Sequence, residues 1–149
     1  MNNFDLSIFD TSFTFTKRPK PIPGDLRPMW KISINLLILE LASRAGKSSL
    51  SRLHVLNWAI RTEINQKNLI QVLSQEMSPT SIIVRIEPSL NRALSFAIAE
   101  KLVEPLAGKN LRITQEGKIL AKSIIKDGQI FSSEIIFCLL YTSPSPRDA

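Results

Sequence analysis

The chain has 149 residues, 44% of them hydrophobic and 21% charged, a balance that fits one globular domain with a packed core and argues against a disordered or membrane-like class. Its net charge of +6 favours an anionic partner such as nucleic acid over an acidic-protein role. One cysteine and one histidine exclude an internal disulfide, a cysteine-rich zinc site and any histidine pair for metal or triad chemistry.

Residues 1–28 read as an extended arm. Phe4, Leu6, Ile8, Phe9, Phe13 and Phe15 alternate in part with polar residues, the pattern of a short strand or strap. Lys17 to Gly24 is a proline-rich basic linker that no helix interior tolerates. Phe13 and Phe15 are therefore candidates for packing on a partner or back on the domain. The opening residues Met1 to Asp5 lack a basic n-region and an apolar h-region. The apolar run 32–41 is too short to span a bilayer and is interrupted by Asn35 and Glu40, so the expected location is the cytoplasm, without membrane contact.

From Pro28 the pattern turns helical. Trp30, Ile34, Leu37, Leu41 and Ala45 recur at helical spacing up to Gly46, and Ile32, Leu36 and Leu39 fill the other faces, which predicts a central, buried helix; a strand over 32–39 is the alternative. Ser48 or Ser49 caps a second helix from Leu50 to Arg61, and Thr62 caps a third from Glu63 to about Gln75. After a loop at Ser78-Pro79-Thr80, the β-branched run Ile82 to Ile86 predicts a strand, with Arg85 and Glu87 as a structural pair on one face. Pro88 opens a fourth helix, where Leu90, Ala93, Leu94, Ala97, Ile98 and Leu102 make a single apolar stripe. Two short strands about Gly108-Lys109-Asn110 predict a hairpin, and Thr114 caps a last helix from Gln115 to about Lys126.

The succession of helix, short hairpin with a basic tip, and Thr-x-x-Gly opening another helix resembles the winged helix-turn-helix family. Leu90-Asn91-Arg92-Ala93-Leu94, Glu100-Lys101-Leu102-Val103 and Leu111-Arg112-Ile113-Thr114-Gln115-Glu116-Gly117 carry the likeness. It implies a mainly α fold with a small β-hairpin wing (α+β) over residues 29–126 and a non-enzymatic DNA-binding protein without cofactors. The helix at Pro88 would enter the major groove of double-stranded DNA and the wing would touch the backbone. Ser89, Arg92 and Ser95 face away from the apolar stripe, with Asn91 at one edge; Arg92 suits guanine and Asn91 adenine. In the wing, Lys109 and Arg112 suit phosphates, with Asn110 beside them. Phe96 and Ala99 share the outward face and suit a protein partner instead, either an ATPase or a second copy of the chain.

The helical run Leu50 to Arg61, with Arg85 to Leu94, also resembles in texture the middle components of ABC-three-component bacterial defence systems. That likeness implies an adaptor linking an ATPase to an effector. Other features are bland: Lys118, Lys122 and Lys126 form a solvated stripe, His54 sits at a core edge, and Gly46-Lys47-Ser48 lacks the upstream glycine of a phosphate loop, because position 41 is Leu41. No acid/base pair or activated nucleophile is visible.

The last residues are of a different kind. Cys138 to Asp148 resemble the translation of a transposon-type sequencing adaptor without a mismatch over eleven residues. The expectation is that 127–137 begins a truncated native segment and 138–149 is adaptor-derived. On that reading Cys138 is neither ligand nor nucleophile.

Overall fold

The computed structural model describes residues 27–141, so the arm residues Phe13 and Phe15 and the last eight residues of the tail lie outside the described residues. Six α-helices and a three-stranded antiparallel sheet are found among them: α1 (Pro28–Leu41), β1 (Lys47–Ser49), α2 (Leu50–Ile60), α3 (Glu63–Leu73), α4 (Pro88–Ala99), β2 (Val103–Leu106), β3 (Asn110–Ile113), α5 (Gln115–Asp127) and α6 (Ser132–Tyr141). The chain is thus mainly helical with a small sheet.

The run 32–39 is helical throughout. α1 starts on Pro28, whose missing N–H costs nothing at a first turn, and buries Ile32, Ile34 and Leu36 to Leu39 on all sides. It packs against α2, α4, α5 and α6 and is the axis of the core. Its buried Asn35 is not orphaned: the amide donates to Lys31 O (2.7 Å), and Asn57 of α2 donates to Asn35 Oδ1 (2.9 Å). Ser49, Thr62 and Thr114 cap α2, α3 and α5 as the sequence predicts, their side-chain oxygens accepting from the N–H groups of Arg52, Asn65 and Gly117, each at 3.1 Å.

The sheet has the order β1-β3-β2. In β2–β3, Val103 opposes Ile113 and Glu104 opposes Arg112; in β1–β3, Lys47 opposes Arg112. Val103, Leu111 and Ile113 turn to the core. Pro105 sits on the edge strand β2, where a missing donor is tolerated.

Three elements differ from expectation. β1 is an addition: α1 ends at Leu41, and a 3₁₀ turn, Arg44–Gly46, swings the chain onto β3. Gly46 is required there, with φ +67° and an added Cβ only 2.7 Å from Ile113 Cγ2. The run Ile82 to Ile86 forms no strand. No sheet edge pairs with it, and of its β-branched residues only Ile82 and Val84 are half-buried. Finally, α6 crosses the expected boundary after Phe137: Phe137 and Cys138 are both buried, Tyr141 packs against the core, and the Arg52 guanidinium lies 5.1 Å from the Tyr141 ring centroid. Burial, with a smaller push from Glu134, raises the Cys138 thiol to about 12, so it carries no thiolate at neutral pH.

Candidate nucleic-acid interface

α4 is positioned at both ends. At its start, Glu87 is extended and precedes Pro88 in the first turn. The Glu87 carboxylate accepts from Lys31 Nζ of α1 (2.9 Å) and from Arg61 just past α2, so three segments are tied at one carboxylate. Burial by itself would raise its pKa; the Lys31 ammonium and Arg61 guanidinium outweigh burial and hold the carboxyl below its ordinary value of 4.5. Glu87 therefore pairs with Lys31 and Arg61, and the expected Arg85–Glu87 pair is not the one formed. At its other end α4 runs through Lys101, in the left-handed region at φ +59°, directly into β2.

That connection explains the Thr-x-x-Gly phrase. Thr114 Oγ1 donates to Lys101 O (2.6 Å) while accepting from Gly117 N, and Thr114 N donates to Leu102 O (3.0 Å). The first turn of α5 is clamped onto the end of α4, and a side chain at Gly117 has no room: a Cβ would stand 2.2 Å from Leu102 O.

The stripe along α4 divides as its periodicity predicts. Leu90, Ala93, Leu94 and Ala97 are buried, whereas Asn91, Arg92, Ser95, Phe96 and Ala99 are exposed and Ser89 is half-buried. Several of these groups are engaged within the protein. Asn91 Oδ1 meets Nε2 of the buried His54 at 3.2 Å, which ties α4 to α2 and explains the histidine at the core edge. Ser95 donates to Asn91 O (3.0 Å). In the hairpin, Asn110 Nδ2 donates to Ala107 O (2.9 Å) and so holds the turn, and Arg112 is ion-paired with Glu104 across the two strands. Arg92 and Lys109 are exposed, Lys109 at the hairpin tip with φ +56°.

One residue that the sequence does not mark as a site candidate joins this set. Lys47 of β1 is exposed and lies opposite Arg112 in register, so Lys47, Arg112 and Glu104 form one row across the sheet. Nothing local marks Lys47-Ser48-Ser49 as a strand, so this neighbour was not readable. The Glu104–Arg112 pair was: the two residues lie symmetrically about Gly108, as a short hairpin requires. The stripe Lys118, Lys122 and Lys126 is solvated at Lys122 and Lys126 and half-buried at Lys118. Among the described residues no group of three or more metal-ligating side chains occurs, and no helix is long and apolar enough to cross a membrane.

Fold and site together define a class: a helical domain with a three-stranded sheet and an exposed helix leading into a basic-tipped hairpin. The chain matches no protein-family model, no curated protein and no solved structure.

Proposed function

We propose that this chain is a non-enzymatic winged-helix domain that binds double-stranded DNA through α4 and the β2–β3 hairpin. The observation that carries the reading is topological. β1 lies between α1 and α2, the strand order is β1-β3-β2, and α4 runs straight into the hairpin, which is the order a wing and its recognition helix need. In that frame Arg92 and Ser95 lie on the groove-facing side of α4, and Lys109, Lys47 and Arg112 flank it toward phosphates. The charge distribution supports the assignment. The +6 excess falls wholly within residues 27–141, because acidic and basic residues balance on either side.

A second reading is favoured by two observations. Phe96 is 47% exposed beside Ala99, and Glu104 neutralises Arg112; both suit a protein-docking face better than a phosphate-binding one. On that reading the same surface is an adaptor's, joining an ATPase to an effector as in the ABC-three-component systems whose texture the sequence resembles.

Titration of a mixed-sequence duplex, followed by fluorescence anisotropy over a range of salt, separates the two. Phosphate contacts by Lys47 and Lys109, with Arg112 held by Glu104, should give a slope of log K against log salt of about −1.8. Arg92→Glu and Lys109→Glu should each weaken binding, whereas the charge-neutral Phe96→Ser should leave the salt slope unchanged. Binding that ignores salt and both charge reversals would falsify the DNA reading; self-association lost with Phe96→Asp would then favour docking.

A further inference from the structure

A second surface lies apart from the α4 face and shares no residue with it. Trp58, Arg61, Asn65, Ile83, Arg85 and Glu87 line an open cleft of about 420 Å³ between the end of α2, the start of α3 and the stretch leading into α4. Its apolar rim is bare at Ile83, which is 80% exposed. An exposed isoleucine beside a half-buried indole, in a concave site with a basic edge, is a surface that an apolar segment carrying acidic residues fits. Arg61 and Arg85 give the cleft a basic edge, with Glu87 already held by Lys31 and Arg61.

The chain carries a segment of matching chemistry, and it joins the fold next to the cleft. Residues 4–15 contain Phe4, Leu6, Ile8, Phe9, Phe13 and Phe15, together with Asp5 and Asp10 and no basic residue. They lead through the proline-rich linker to Pro28, the first residue of α1. Lys31, only three residues on, touches Glu87 in the cleft wall at 2.9 Å. The twelve residues 16–27 reach as far as roughly 40 Å when extended.

We infer that the acidic, phenylalanine-rich segment 4–15 docks in the cleft formed by Trp58, Asn65, Ile83 and Arg85 of its own chain, with phenylalanines against Trp58 and Ile83 and Asp5 or Asp10 toward Arg85. The apolar contacts supply the binding and the aspartates set its direction. Tethering makes the encounter intramolecular, so a weak segment suffices at a high effective concentration.

The experiment is acrylamide quenching of Trp58 fluorescence in the full chain, with Trp30→Phe throughout so that a single indole reports. Replacing Phe4, Phe9 and Phe13 together by Asp should at least double the quenching constant at unchanged far-ultraviolet dichroism. Asp5→Lys with Asp10→Lys, which keeps every phenylalanine, should raise it as well. A constant unchanged in both variants overturns the inference. The parent is read at low-micromolar protein and again at roughly forty times that concentration. Equal values support docking within one chain; quenching that falls with concentration assigns the cleft to a second copy's arm and overturns the intrachain arrangement. Duplex binding plays no part in this readout, so the test stands or falls separately from the DNA reading.

Discussion

A methyl group added at Gly117 would stand 2.2 Å from Leu102 O, just before β2, and 2.7 Å from Ile113 Cγ1 at the end of β3. A backbone carbonyl cannot swing aside as a lysine tip can, so α5 would have to lift off the end of α4. Gly117→Ala is expected to cost at least about 2 kcal/mol despite the better helix propensity of alanine. Urea unfolding should show a lower midpoint at unchanged slope. Glu87 is the other residue on which several elements converge. The Lys31 side chain is 2% exposed, and removing its partner would leave a buried ammonium without its carboxylate. Glu87→Gln should destabilise by about 2 kcal/mol, less than the about 3–5 kcal/mol of a fully buried pair because Glu87 itself keeps some exposure. The folded-state pKa of Glu87 lies below 4.5. Its contribution is therefore present above the unfolded value and lost as pH falls through the lower folded value. The difference in stability between wild type and Glu87→Gln should accordingly shrink on acidification below about pH 4.5 and stay constant from there to neutrality.

The hairpin gives the element scale its sharpest test. Glu104 holds Arg112 across β2–β3, an exposed pair worth at most about 1 kcal/mol to stability. If the hairpin contacts phosphates, Glu104 competes with them for the guanidinium. Glu104→Gln should then tighten duplex binding several-fold and steepen its salt slope by about one unit, as one more phosphate contact requires. An affinity unchanged by Glu104→Gln would place Arg112 outside the interface. Which elements could be read beforehand follows from how local their causes are. α4 and α5 announce themselves because stripe, proline and threonine cap act within a few residues of one another. β1 does not, because Lys47-Ser48-Ser49 is held as a strand by the backbone of β3, more than sixty residues away. The run Ile82 to Ile86 misleads in the opposite sense: its composition suits a strand, but no strand edge is there to pair with it. The candidate site divides the same way. The exposure of Arg92, Ser95 and Phe96 follows from the α4 period, whereas the His54–Asn91 contact joins residues 37 positions apart and leaves no local trace.

At the scale of the whole molecule, α1 is enclosed by four other helices, and α6 is one of them. Phe137 and Cys138 fill the core from α6, and Tyr141 stacks beneath Arg52, whose guanidinium also donates to Ser43 Oγ (3.0 Å) and to Ala42 O at the end of α1. The wall of the core thus extends past Phe137, the last residue before the stretch that resembles an adaptor translation. A charged residue in place of Cys138 would be buried without a partner. A chain stopped after Phe137 should lose about 1–3 kcal/mol, from the missing thiol and tyrosine contacts and from fraying of a helix shortened to six residues. A chain stopped after Tyr141 should match the full-length protein, and Cys138→Ala should lose about 1 kcal/mol or less, the cost of one small buried atom. Thermal unfolding of the three variants beside the full-length chain under one set of conditions orders them. Equal midpoints for all three would mean that α6 closes the core by Phe137 alone, and that nothing after it is needed to hold α1 in place.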